Sequence, residues 1–303
     1  VTGDDLWRPA SGCGPVCLPA PTAPDVSLPR RVGRLLGVLG MLLAGVGLAA
    51  LLPLLPAGDR RAALRGWARG TLRALGVRLV VRGRLPRPRA LLVANHVSWL
   101  DILAVLAVSP ARMVAKREVR DWPVLGPLAA AAGTVFVDRS RPRELPATVG
   151  RVAGALRAGH SVAVFPEGTT WCGTAAGCRP GRGFRPAVFQ AAVDAGARVV
   201  PLRLGYRYAG DASSLPAFLG DETLWESARR VLGARDLTVA VTVAAALHPA
   251  AGADRRLLAR AAESAIHPAP VRAPVRSTAT GVRLVRPVAP VPAGAGAGLD
   301  LAA

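Results

Sequence analysis

Residues 90–107 read ALLVANHVSWLDILAVLA, and this stretch decides the fold. Five apolar residues, 90–94, make a strand buried on both faces. Asn95-His96-Val97-Ser98 makes a polar turn, and an apolar run from Leu100 has the length and spacing of a buried helix. Strand, loop and helix in immediate succession are the unit of an α/β layer. The pattern repeats outward from it: short β-branched runs at 77–81, 113–115, 135–137, 162–165, 199–204 and 237–244 alternate with helical stretches at 124–132, 144–158 and 186–195. The expected architecture is therefore α/β with a mostly parallel central sheet.

Within the deciding stretch, His96 and Asp101 are five residues apart. On a continuous helix that spacing separates side chains by about 140°, so the two meet only if the chain turns between them. Ser98 followed three residues later by Asp101 has the form of a capping box, which makes Ser98 the N-cap and leaves His96 in the loop above the helix. Two readings of the pair are open on residues alone. In one, Asp101 only caps a helix beside an incidental loop histidine. In the other, the carboxylate holds the imidazole in one tautomer as a general base for a hydroxyl.

Farther along, Pro166-Glu167-Gly168-Thr169-Thr170 follows the strand at 162–165, at the carboxyl end where open α/β sheets place ligands. Gly133-Thr134-Val135-Phe136-Val137-Asp138-Arg139 ends another strand with a charged pair, and a guanidinium suits phosphate. Lys116 is the single lysine of a chain that otherwise uses arginine. Arg179, Arg182 and Arg185 make the Gly-rich stretch 172–185 cationic, either as a mobile loop beside a pocket or as a solvated surface loop.

These blocks resemble those of the 1-acylglycerol-3-phosphate O-acyltransferases (lysophosphatidic acid acyltransferases) and their glycerolipid relatives, over about residues 78–206. The family's NHxSxxD block is met at 95–101, GxxFxDR at 133–139, FPEGT at 165–169 and the apolar VPL segment at 200–202, while Phe184-Arg185 is similar to its Phe-Lys step. The resemblance implies a membrane-associated enzyme that moves an acyl group from a coenzyme A or acyl carrier protein thioester to a lysolipid hydroxyl, with no cofactor beyond that thioester. It implies His96 as base and Asp101 as its orienter. Arg139, Glu167, Gly168 and Thr169 are expected to hold the acceptor headgroup, helped by Lys116 and Arg185. Many family members carry arginine where this chain has Thr170. Lysophosphatidate is accordingly the first expectation for the acceptor, and lyso-ornithine lipid the alternative.

Outside the acyltransferase region (76–250), residues 1–30 are Pro-, Ala- and small-residue-rich and read as a disordered leader. Residues 35–55 are 21 uncharged, mostly apolar residues, the length that crosses a hydrocarbon core of about 30 Å, either spanning it or entering and turning back. The long stretch before them argues against a cleaved signal peptide. Arg61, Arg65, Arg69 and Arg73 then recur every four residues opposite Leu64, Trp67, Ala68, Thr71 and Leu75. A helix so striped is expected to lie on an anionic membrane surface. Ten arginines in 56–89 against four in 1–34 place the acyltransferase region on the cytoplasmic side of the cell membrane by the positive-inside bias. Residues 251–303 read as a short helix near 255–264 followed by a disordered tail.

The net charge of +20 admits anionic lipid or nucleic acid as a partner, with a GC-rich bacterial composition as a further cause. Aromatics at 4% and the lack of a recognised nucleic-acid module exclude the second. A non-catalytic anionic-membrane binder is the competing class, but it has no use for the His and Asp pair. The four cysteines, Cys13-x3-Cys17 and Cys172-x5-Cys178, lack the paired spacing usual for zinc, so the expectation is reduced thiols and no metal.

Overall fold

The computed structural model describes residues 11–20, 25–84, 88–173, 178 and 183–267. At its centre is an eight-stranded sheet of β1 (Arg78–Arg82), β2 (Ala90–Ala94), β3 (Arg112–Lys116), β4 (Val135–Val137), β5 (Val162–Val164), β6 (Arg198–Tyr208), β7 (Asp211–Ala212) and β8 (Thr238–Val243), in the order β1-β8-β6-β2-β5-β3-β4, with β7 added to β6. Neighbouring strands run parallel except where β6 pairs with β7 and β8.

All five residues of β2 are buried, and they divide between two cores as the two-residue period of a strand requires. Leu92 and Ala94 join a core that includes α2 (Ala57–Ala74) and α3 (Leu100–Val108). Leu91 and Val93 join another with α5 (Leu145–Arg157), α6 (Phe189–Ala195) and α8 (Arg255–Ile266). Two helices of the described residues complete the fold near the site, α4 (Leu125–Ala131) and α7 (Leu224–Gly233). Helix α7 is not among the expected helices, although Thr223 and Glu226 form a reciprocal capping box at its start.

The apolar N-terminal run forms α1 (Leu28–Leu51), roughly 36 Å long at 1.5 Å per residue. With the turn after it, it is long and apolar enough to cross a bilayer, and little of it is covered. Leu36, Leu39, Leu43 and Val46 are exposed, Leu43 by 74%. Where α1 meets α2 the backbones come close. A Cβ on Gly45 would lie 2.9 Å from Trp67 Nε1, and that indole N–H donates to Met41 O at 2.7 Å.

Three expectations change. Helix α2 carries the arginine stripe, but its apolar side is taken up inside the protein. Ala68, Thr71 and Leu72 are buried, and α2 packs on α1 and α3, so that face is not the one turned to a membrane. Residues 11–20 of the expected leader are ordered, with a 3-10 turn at Pro15–Cys17 and Cys13 buried. The four cysteines, expected as separate thiols and no metal site, converge with all their Sγ atoms within 4.8 Å of one another. Spacing within each pair could not show this, because the fold joins segments about 160 positions apart. Residues 28–30 of the expected leader already belong to α1, while residues 1–10 and 21–24, Arg179, Arg182 and the tail beyond residue 267 lie outside the described residues.

Candidate active site

Parallel strands place their carboxyl ends together, and the candidate site residues of four strands sit there. The loop after β2 carries His96, that after β5 carries Glu167 to Thr170, β3 ends at Lys116, and β4 is followed by Asp138 and Arg139. The strands β2, β5, β3 and β4 are consecutive neighbours, so four separate sequence blocks become one rim.

The turn expected between His96 and Asp101 is present. His96 Nδ1 lies 2.8 Å from Asp101 Oδ2, which also accepts the N–H groups of Val97 (2.6 Å) and Ser98 (2.8 Å). Half of the expected capping box has formed. The Asp101 carboxylate reaches back to the Ser98 N–H, whereas the Ser98 hydroxyl accepts from Leu100 N–H (3.3 Å) and the helix begins one residue later, with Trp99 at the N-cap. The remaining oxygen, Asp101 Oδ1, accepts the Tyr206 hydroxyl at 2.6 Å. Asp101 is fully buried, and a buried carboxylate with four donors is held in one orientation. Burial, followed by the Asp101 charge, pushes the Tyr206 phenol well above its ordinary value, which keeps it an O–H donor.

Further contacts fix the loop. Asn95 Nδ2 donates to Leu204 O and its Oδ1 accepts from Leu204 N–H, pinning the turn to β6 (2.9 and 2.8 Å). Phe165 stacks on the His96 ring, centroids 4.0 Å apart and planes 10° from parallel. The Trp171 N–H donates to His96 O at 2.8 Å.

Glu167 differs from its expected place against a headgroup. Its buried carboxylate accepts the His96 backbone N–H through Oε2 at 2.7 Å and faces His267 Nε2 through Oε1 at 3.0 Å, so it supports the histidine loop from behind. Gly168, at φ +78°, closes the turn with its N–H on Phe165 O, and its own carbonyl accepts from Arg139 Nη1 at 2.8 Å. Burial lowers the Arg139 value from its ordinary one, yet a guanidinium remains a cation at neutral pH. The Thr170 hydroxyl donates to Phe218 O.

His96, Lys116, Arg139, Gly168, Thr169 and Arg185 all border one cavity of about 1670 Å³. From this polar rim it runs between α1, α4 and α7 over Leu39, Leu128 and Trp225. A cationic mouth on an apolar channel suits an anionic group attached to a hydrocarbon chain. Sequence reasoning missed Tyr206 and the stacking role of Phe165. Tyr206 had a signal, since it follows Leu202 and Leu204 on the inward face of an alternating strand.

An imidazole held by a buried carboxylate, on a mostly parallel sheet and beside a largely apolar cavity, is an arrangement suited to acyl transfer. The chain belongs to the acyltransferase family: the family profile described as Acyltransferase matches residues 78–205. The lyso-ornithine lipid O-acyltransferase of Pseudomonas aeruginosa is 35% identical over 243 residues, which cover 78% of this chain and 90% of that protein. The 1-acyl-sn-glycerol-3-phosphate acyltransferase of Neisseria meningitidis is 37% identical over 211 residues, 69% of this chain and 80% of that one. The crystal structure of the 1-acyl-sn-glycerophosphate acyltransferase PlsC from Thermotoga maritima has the same fold, with a TM-score of 0.53 at 18% identity, over 78% of this chain and 96% of that one.

Proposed function

We propose that this chain transfers a fatty acyl group from a coenzyme A or acyl carrier protein thioester to the free hydroxyl of a lysolipid, with His96 as general base. The observation that carries the reading is that His96, held from behind by the buried Asp101, borders the apolar cavity. Asp101 accepts Nδ1–H and leaves Nε2 to take the hydroxyl proton. As that proton moves, the hydroxyl oxygen bonds to the thioester carbonyl carbon. The C–S bond then breaks, and the leaving thiolate takes the proton back from the imidazolium. Phe165 keeps the ring from turning, and the Tyr206 donor keeps Asp101 aimed. No cofactor enters these steps.

For the acceptor we favour 1-acylglycerol-3-phosphate. Lys116, Arg139 and Arg185 border the mouth, and a phosphate complements that charge better than a zwitterion does. The second reading, lyso-ornithine lipid, is favoured by Thr170. Its hydroxyl is spent on Phe218 O where many family members offer an arginine, and a lyso-ornithine lipid enzyme is among the relatives. Helix α1 lies in the cell membrane in this reading, with the active site at the cytoplasmic surface among anionic lipids.

The test is transfer of a labelled acyl group from either thioester to both acceptors in parallel, with His96→Ala as control. Phosphatidate formed by the wild type and lost in the variant is expected. Product from lyso-ornithine lipid alone would move the acceptor to the second reading. Undiminished transfer by His96→Ala would remove the mechanism.

A further inference from the structure

Cys13 and Cys17 lie at one end of the chain, and Cys172 and Cys178 lie beyond the loop that carries Thr170. The fold brings them together pairwise across 159 and 161 positions. Cys172 N–H reaches Cys13 Sγ at 3.4 Å, and Cys17 Sγ lies 3.8 Å from Cys178 Sγ. None is in a disulfide, whose sulfurs would be about 2.05 Å apart. A tetrahedral zinc with four thiolates at about 2.3 Å holds its sulfurs about 3.8 Å from one another, which is the Cys17 to Cys178 separation. No sulfur of the four is more than 4.8 Å from another, so small side-chain movements bring all of them onto one ion. Cys13 and Cys172 are buried and the other two half-buried, which gives a closed inner side and an accessible outer one.

Residues 11–20 have few other anchors: Leu18 packs against the core and the Ser214 hydroxyl donates to Cys17 O at 2.6 Å. They contain one 3-10 turn and, apart from Cys13, no buried residue. Ordering such a segment costs conformational entropy that so small an apolar contribution does not offset. A metal cross-link supplies what packing does not.

We propose that Cys13, Cys17, Cys172 and Cys178 form a structural zinc site that clasps the N-terminal segment to the active-site wall. The wall is reached within one residue, because Trp171, whose N–H holds His96 O, precedes Cys172. The site is closed, with four protein ligands, and takes no part in acyl transfer. Its ligands come from two distant segments, so the metal fixes tertiary structure where a zinc finger's metal fixes a local fold.

The test uses the full chain in detergent, purified under reducing conditions and supplied with zinc, with metal read by mass spectrometry. About one zinc per chain is expected for the wild type. Cys17→Ser and Cys178→Ser, at the half-buried pair, are expected to lose it while keeping their circular dichroism. Cobalt exchanged into the wild type should give the intense thiolate charge-transfer and ligand-field bands of a tetrahedral tetrathiolate site. Should both variants fail to fold, thiol alkylation of the native wild type decides. Four thiols protected until a zinc chelator is added support the site, whereas four that react at once, with or without chelator, overturn it. Two disulfides found by mass spectrometry, or iron and sulfide in place of zinc, also overturn it. Each readout is of metal or thiol, so it stands whatever the acyl-transfer assay gives.

Discussion

Replacing Asp101 with Asn changes the charge under His96 while nearly keeping its shape. The amide oxygen can take the place of Oδ2, where it still accepts from Val97 N–H, Ser98 N–H and His96 Nδ1–H, and the amide nitrogen can face the Tyr206 oxygen. The fold should therefore survive. What disappears is the counter-charge to the imidazolium that forms as His96 takes the hydroxyl proton. For charges about 4 Å apart at an effective dielectric constant of about 20, that interaction is about 4 kcal/mol. If it is felt only in the transition state, kcat falls by about 1,000-fold while KM for both substrates stays near its wild-type value. Steady-state transfer from acyl-coenzyme A with saturating acceptor measures this, with circular dichroism and vesicle binding as controls. A folded Asp101→Asn enzyme that keeps more than a tenth of the wild-type kcat would refute the idea that a buried carboxylate stabilises a charged His96.

Other outcomes follow from single contacts. Tyr206→Phe removes the donor to Asp101 Oδ1 in a buried site, and should lower folding stability by about 1.5–3 kcal/mol, seen as a lower thermal midpoint. Gly45→Val would force Trp67 away from α1, an overpacking cost of about 1–3 kcal/mol that thermal unfolding in detergent should register. His160 accepts from Arg112 Nη2 at 3.0 Å, and burial followed by nearby arginine charge lowers its value below the ordinary one. Its contribution to stability is therefore fully present above about pH 6.5. It declines below that pH, where the unfolded chain takes up the proton first. His160→Gln should flatten that part of a melting profile, by a small amount because the residue is only partly shielded from solvent.

The strands and the His96 loop were legible because they are local. A five-residue apolar run followed by a polar turn announces β2 and its helix, and the structure matches residues 90–94 to the residue. The end of β6 was not so clear. The strand was expected to stop at 204 but continues to Tyr208, because its second half alternates buried Leu204 and Tyr206 with exposed Arg203, Gly205 and Arg207, and an uninterrupted apolar run is the easier signal. The motif alone points Glu167 at a headgroup, yet a buried carboxylate goes where backbone donors are, and one lies behind His96. The cysteine cluster could not be read from spacing at all, since its geometry depends on where two remote segments meet.

Strand β6 has a consequence for exchanging parts between relatives. Leu204 pairs with the Asn95 side chain and the Tyr206 hydroxyl donates to Asp101, two residues apart on one strand, and both partners sit more than a hundred positions earlier. Adding one residue to β6 between Pro201 and Leu204 would rotate everything after it to the other face, so the hydroxyl would point out of the site and Asn95 would meet the wrong backbone group. The reactive loop and β6 thus behave as one heritable unit: a graft of residues 95–101 into another acyltransferase should work only if 198–208 travels with it.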